Sequence, residues 1–335
     1  MIYDCFSFYN ELDLLEIRLN ELVNAVDRFV LVEAEMTHNG DSKPLYYADN
    51  KARFARFTDK IIHVVVGVDD FRAAESGKTF QEKAWMRLNI QRNAISKGLE
   101  GCNGDDVVII SDLDEIPRAE SVRAASGTLK SGEVVWLVLN AYSFYANLRN
   151  ASDPIWGNGP KMALMDTFRD ERVYVTAPYN HFVIRSVNVG PTATRFREII
   201  PTRRIPDAGW HFSYLGGAKA VVAKVRAFNE LGLFKREDLD TYVSKRIASG
   251  KSLFGGDRFL PEPIDATFPA FVLANQEKFA YLIFQNVPPQ GVRTQFLRKW
   301  FRFSACIRRF IMRVLFKLTP KWVRTIIKKM IGIET

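Results

Sequence analysis

Residues Val107-Val108-Ile109-Ile110-Ser111-Asp112-Leu113-Asp114-Glu115-Ile116-Pro117 join a short apolar run to a cluster of acids. Four β-branched residues in succession leave no polar face for water, so the run predicts a strand buried on both sides. Such a strand belongs to a parallel sheet covered by helices. It ends in three carboxylates within four positions, and carboxylates are rarely placed there unless something cationic compensates them. Asp112 and Asp114 stand two apart, so a turn after the strand can aim both at one point. Hard oxygen ligands so arranged suit Mg²⁺ or Mn²⁺, which keep positions open for substrate phosphates. Pro117 suits the first turn of a helix. One reading is a metal site for a phosphorylated substrate at the strand's carboxyl end. The other is a solvated acidic turn with Asp114 as a helix cap.

The segments before it alternate. Residues 2–8 and 28–34 read as strands, the second ending at Glu33 and Glu35, and residues 60–66 as a third. Between the first two, Asn10 is placed to cap a helix whose stripe is Leu12, Leu15, Leu19 and Leu22. Residues 80–96 read as a helix with Trp85, Leu88 and Ile95 facing inward. Strands alternating with helices predict an α/β fold with a mostly parallel sheet. Ligands in such sheets bind outside the strands' carboxyl ends, where the acids fall. Beyond residue 130 the alternation weakens. A strand is expected over 134–140, short strands over 173–176 and 181–184, and helices over 218–231 and 236–248. No linker divides residues 1–290, which read as one domain, followed by a tail over 291–335.

The formal net charge of +9 belongs to that tail. From residue 293 onward there are twelve basic residues and one acid, a net +11, which leaves −2 for residues 1–292. Phe296, Trp300, Phe310, Val314 and their neighbours recur at helical spacing, with Arg298, Arg302, Arg309 and Arg313 on the other face. After Pro320 a second stripe follows from Trp322. The tail has no uncharged run long enough to span a bilayer. A basic amphipathic helix with Trp and Phe suits an anionic membrane interface, and packing on the body is the alternative. Nucleic acid is disfavoured, because large aliphatics interrupt the basic face. The first residues resemble neither a secretory signal nor an anchor. Cys5, Cys102 and Cys306 lack zinc-ligand spacing, so the expected location is the cytoplasm, peripheral on the inner face of the cell membrane.

Further candidates surround the acids. Arg92, in Gln91-Arg92-Asn93, can pair with a phosphate or with the acidic turn itself. His211, in Gly209-Trp210-His211-Phe212-Ser213, can complete a two-Asp metal site or be a hydrogen-bonded core residue. Trp210 can stack on a sugar or fill the core. Asp207, Glu230, Asp257 and Glu262 are candidate general bases. Asp257 sits in Phe254-Gly255-Gly256-Asp257-Arg258, a loop of the kind that closes over substrates.

Taken in order, these pieces resemble glycosyltransferase family 17, which includes the β-1,4-mannosyl-glycoprotein N-acetylglucosaminyltransferases. The likeness runs from Tyr3-Asp4-Cys5-Phe6 and Asn10-Glu11-Leu12-Asp13-Leu14-Leu15-Glu16-Ile17-Arg18-Leu19 through Val32-Glu33, Thr37, Gly40 and Lys43-Pro44-Leu45. It continues in Asp105-Asp106-Val107, the run Asp112 to Pro117, and Gly209-Trp210-His211, spanning roughly residues 3–257. The resemblance implies a GT-A type nucleotide-sugar-binding fold with C-terminal basic amphipathic helices added. It implies inverting transfer from a nucleotide-sugar donor, UDP-GlcNAc by the family's habit, to a glycan or glycolipid acceptor. Carried over by position, Asp112, Asp114 and His211 hold Mn²⁺ or Mg²⁺. Glu33, Arg92, Asn93, Asp112 and Trp210 contact the donor. Apart from the resemblance, Asp257 is chosen as the catalytic base, and Glu115 as a residue that orients the acceptor or the structure. The chain departs from the family's animal members in lacking their N-terminal anchor and carrying the basic tail, which favours a glycan built at the cytoplasmic membrane face.

Two rival classes remain. A haloacid-dehalogenase-like phosphatase also begins from Asp-x-Asp, but after the first strand and with Thr or Val where Ile116 stands. A non-catalytic membrane-bound scaffold is supported only by the tail.

Overall fold

The computed structural model describes residues 1–72, 75, 77–174, 192–228, 236–288 and 291–318. Among the described residues thirteen strands form two sheets. The first contains β1 (Ile2–Phe8), β2 (Arg28–Ala34), β3 (Ile61–Val66) and β4 (Val107–Asp112), joined by β6 (Val135–Leu137), β10 (Lys161–Leu164) and β11 (Arg203–Ile205). Their order is β11-β6-β10-β4-β1-β2-β3. Strands β1 to β4 pair in parallel, while β10 runs antiparallel to both β4 and β6. The expected α/β fold with a mostly parallel central sheet is present.

The run at 107–112 is covered on both faces. Val107 and Ile109 join one core with Phe29, Leu31 and Leu19, and Val108 and Ile110 join the other with Cys5, Val30 and Val32. Helix α1 (Leu12–Leu22) buries Leu15, Leu19 and Leu22 as its stripe predicted. Its cap is Glu11 rather than Asn10.

Helix α2 (Phe80–Asn93) departs from expectation. Trp85 and Leu88 are only half-buried, while Arg87, Gln91 and Arg92 are buried. The helix lies across strand ends, where carbonyls need donors. Gln91 Nε2 donates to the carbonyls of Phe8 and Val32, and Arg87 to that of His38. Ile95 is buried, but in a separate turn at Ile95–Gly98.

The second sheet contains β5 (Glu115–Pro117), β7 (Leu139–Ser143), β8 (Leu148–Asn150), β9 (Ile155–Trp156), β12 (Gly209–Ser213) and β13 (Phe259–Pro261). Pro117 therefore ends a strand rather than starting a helix. The strand expected at 134–140 breaks at Val138, whose N–H bonds to the Ile205 carbonyl, so β6 and β7 enter different sheets. Residues 171–174 are a helical turn, not a strand. The strand expected at 181–184, Glu230 and the stripe from Trp322 lie outside the described residues.

Three helices complete the frame of the site: α3 (Ala193–Arg197), α4 (Gly217–Ala227) and α5 (Val292–Leu318). Pairing Ser7 with Asp112 and Phe8 with Glu33 aligns the carboxyl ends of β1, β2 and β4 along one edge.

Candidate active site

At that edge β4 turns back through Leu113 and Asp114 into β5. The turn is held from below by Arg18 on α1, which is completely buried. Arg18 pairs with Asp4 at 2.6 Å and donates to the carbonyls of Asp112, Leu113 and Glu115 at 2.8, 3.1 and 2.9 Å. One guanidinium thus satisfies three carbonyls that a tight turn would strand, leaving the side chains of Asp112 and Asp114 to face outward.

They face a cleft of about 440 Å³. Asp112 receives Arg92 Nη2 on its two oxygens at 3.0 and 3.1 Å, with Arg197 at 3.5 Å. Burial opposes its ionisation, but the two guanidiniums pull its carboxyl down to about 2. Asp114 presents Oδ1 to His211 Nε2 at 3.6 Å and Oδ2 to Lys224 Nζ at 3.0 Å. Against the same burial, Lys224 and His211 hold Asp114 well below the usual carboxylate range. Lys224 also pairs with Glu11 at 3.0 Å, and the two acids keep its ammonium charged despite its burial. The compensation that the sequence demanded is therefore supplied in large part by the protein's own cations.

Glu115 is 1% exposed, with both oxygens engaged. It accepts from Arg197 at 2.7 and 2.8 Å, from Trp156 Nε1 at 2.6 Å and from the Asp112 N–H at 2.9 Å. That leaves no oxygen for proton transfer. Glu115 therefore positions Arg197, Trp156 and the Asp112 backbone rather than acting as a catalytic group.

Of the residues assigned to the donor, Arg92 and Asp112 line the cleft. Asn93 does not. Its Oδ1 accepts the Thr194 N–H at 3.0 Å and so seats α3, which carries Arg197. Glu33 is fully buried beneath the edge, accepting the Tyr47 N–H at 3.0 Å and meeting His63 at 3.1 Å. Trp210 points into the core. It is 1% exposed, bonds the Thr267 carbonyl and lies under Arg118. Side chains alternate along a strand, so with Trp210 inward the adjacent His211 faces the cleft. An aromatic that does line the cleft is Trp156, whose ring lies 4.1 Å from His211 at 30°. Asp257 lines the cleft, its Oδ2 accepting from Asn150 at 3.2 Å. Asp207 is exposed and Glu262 is bonded to Tyr142 and Arg298.

Sequence reasoning did not single out Lys224, Arg197 or Arg18, nor the aromatic cluster of Tyr9, His38 and Phe228 in the lining. Phe228 meets the other two rings edge-on, at 5.3 and 4.7 Å. The available signal was a lone cation inside an apolar helical stripe, as with Lys224 between Val221, Val222 and Val225.

The donor set suits a divalent ion in part. Asp114 and His211 stand side by side, and Asp112, with a third of its side chain accessible, opens on the same cleft. Mg²⁺ or Mn²⁺ needs only one or two protein carboxylates when phosphate and water fill the remaining positions. Among the described residues no three His, Cys, Asp or Glu side chains converge as a ligand set. Of the expected trio, Asp114 and His211 stand 3.6 Å apart, while Asp112 is engaged by Arg92 and Arg197.

Comparison with known proteins links the part of the chain that carries the acidic turn to glycosyltransferases, as a similarity over just under half of its residues. Residues 1–156 match glycosyltransferase family 17. The match takes in Asp112 to Pro117 and ends at Trp156, short of His211, Lys224 and Asp257. The β-1,4-mannosyl-glycoprotein 4-β-N-acetylglucosaminyltransferases of Rattus norvegicus and Homo sapiens are each 28% identical over 123 residues, which is 36% of this chain and 22% of theirs. The aligned segment therefore spans about a fifth of those relatives. Among solved structures, the glucosyl-3-phosphoglycerate synthase of Mycobacterium tuberculosis, in complex with Mn²⁺, UDP-glucose and phosphoglyceric acid, aligns over 82% of this chain and 91% of its own. The TM-score is 0.29 and the identity 13%.

Proposed function

We propose that this protein is an inverting glycosyltransferase that moves a sugar from a nucleotide-diphosphate donor, UDP-GlcNAc, to a hydroxyl of a glycan or glycolipid acceptor. The observation that carries the reading is the cleft itself. Two ionised carboxylates, three cations and an imidazole meet at the carboxyl edge of a mostly parallel sheet, where GT-A folds bind nucleotide sugars. The match of residues 1–156 to family 17 supports it, as do the names of the relatives. No such support attaches to the phosphatase reading.

Within this reading Tyr9, His38 and Phe228 offer apolar faces to a nucleobase, and Arg92 with Asp112 offers polar groups to the ribose and diphosphate. Asp114 and His211 would hold Mn²⁺ or Mg²⁺. That ion, when bound, supplies positive charge to the diphosphate of the leaving nucleotide. Lys224 keeps Asp114 ionised. Asp257 is the candidate base: its second oxygen takes the proton of the acceptor hydroxyl as the hydroxyl oxygen attacks the anomeric carbon. The bond to the diphosphate oxygen breaks, and the products are the glycoside, the nucleoside diphosphate and a protonated Asp257. Turnover of UDP-GlcNAc should need Mn²⁺ or Mg²⁺, vanish in Asp114→Ala, and fall at least about a hundredfold in Asp257→Asn with donor affinity kept. Full turnover in EDTA would contradict the mechanism.

The acceptor would be met at an anionic membrane surface, on its cytoplasmic side. Helix α5 supports this placement. Phe296, Trp300, Phe303, Ile307 and Phe310 recur every three or four residues and are all exposed, with Lys299 and Arg302 between them. The opposite side buries Thr294 and Ala305 and pairs Arg298 with Glu262. Among the described residues no helix is long and apolar enough to cross a membrane. The free thiols of Cys5, Cys102 and Cys306 agree with a reducing compartment. Flotation should recover the protein with phosphatidylglycerol vesicles and not with phosphatidylcholine, and F296S/W300S/F303S should abolish it. Equal recovery by both vesicle types would exclude the electrostatic part.

A further inference from the structure

A second cavity, of about 340 Å³, lies on the other side of Arg197 from the cleft. It is lined by Trp136 on β6, Lys161 on β10, Arg204 on β11, and Arg197 and Glu198 at the end of α3. Lys161 is 3% exposed, yet among the described residues it has no hydrogen-bond or ion-pair partner. Its Nζ lies 5.5 Å from the centre of the Trp136 ring, which the Arg204 guanidinium approaches to 5.0 Å. The indole Nε1 of Trp136 is likewise buried with no acceptor. Arg197 cannot share its charge with the cavity as a free cation, because Glu115, Asp112 and the Asn158 carbonyl already occupy it. Among the described residues the only acid in the lining is Glu198, and it forms no ion pair with Lys161.

A buried ammonium with no carboxylate in ion-pair contact is costly: burial, with the like charges of Arg197 and Arg204 and only partly offset by the more distant Glu115 and Glu198, pushes Lys161 down to about 8. The Lys161 ammonium and the Arg204 guanidinium, which both line this space, form a donor set for an oxyanion. The sheet order gives the cavity a side. Lys161 and Trp136 lie on the β10–β6 flank of Asp112, whereas Tyr9 and His38 follow β1 and β2 on the opposite flank. A donor whose base rests among Tyr9, His38 and Phe228 leaves the β10–β6 flank to the acceptor.

We propose that the cavity between β6, β10, β11 and α3 is a subsite for an acidic group, phosphate or carboxylate, carried by the acceptor. Its assignment to the acceptor rests on the donor reading above; its affinity for anions does not.

The probes are inorganic phosphate and mannose 6-phosphate, titrated calorimetrically into the full chain at pH 7 without nucleotide. Both should bind saturably, the sugar phosphate at least tenfold tighter, and Lys161→Met should weaken both at least tenfold. Lys161→Met should also melt no lower than the parent in phosphate-free buffer, since it removes an unpaired buried charge. If it does not fold, exposed Arg204→Ala carries the test, with a loss of at least threefold. Undiminished phosphate binding in both variants, or none by the parent, would overturn the subsite. Phosphate binding as tight as that of the sugar phosphate would overturn its assignment to the acceptor and identify a free anion as the occupant. Because no donor is present in these titrations, failure of the glycosyltransferase reading would leave their outcome unaffected.

Discussion

Arg18 joins three requirements in one side chain: it neutralises Asp4, caps the carbonyls of the acidic turn and packs over Phe6 at 4.4 Å. Removing one partner of a buried pair costs about 3–5 kcal/mol, because the other charge is left in an apolar site. Arg18→Met should lower unfolding free energy by that amount in urea titration, and adding Asp4→Asn should recover part of it. A loss within about 0.5 kcal/mol, the range of ordinary surface substitutions, would show that the turn holds itself. His38 gives a pH signature. Burial, only partly offset by the Gln91 hydrogen bond, holds its imidazole down to about 4, against an ordinary 6.5. As pH falls through 6.5 the unfolded chain takes the proton first, so stability present above 6.5 is lost progressively toward pH 4. The loss is at most about 3 kcal/mol at 1.36 kcal/mol per pH unit. The parent should lose more stability than His38→Gln between pH 7 and 4.5, and equal losses would show that His38 is not the group responsible. Asp112, Asp114 and His211 were legible because each lies in a short ordered motif. Lys224 and Arg197 were not, since a single cation in a helical stripe reads as a charge reaching for solvent.

Among the elements, the pairing of β12 with β5 sets the distance between the acidic turn and His211. It depends on Gly209, whose φ is +149° and whose added Cβ would lie 2.1 Å from the Ile116 carbonyl oxygen. A side chain there must push the strands apart, in a conformation L-residues avoid. Gly209→Ala should cost more than about 1 kcal/mol in denaturant titration and weaken donor binding with it. Unchanged stability and affinity would mean that β12 tolerates displacement. Strands β1 to β4 could be read directly, because continuous apolar runs mark strands buried on both faces. The pairing of Trp210 with Ile116 could not, since periodicity reports an element's type and not its partner. The buried polar face of α2 was equally hidden: its helix is amphipathic toward strand ends rich in carbonyls, not toward an apolar core.

For the whole molecule, the net charge lies in the tail and the acidic turn stands at the carboxyl edge of the sheet, where the sequence located it. The sequence presented the acids as a metal site or a solvated turn, with Arg92 as a partner, and the fold adds Arg197 and Lys224 around them. That shifts the expected role of a metal from neutralising the protein's acids to meeting the donor's diphosphate beside Asp114 and His211. Calorimetric titration of UDP-GlcNAc into the full chain tests this most directly. With Mn²⁺ present the account predicts saturable binding that weakens at least about tenfold, or 1.4 kcal/mol, in EDTA and again in Asp114→Asn. Affinity unchanged in both would contradict it.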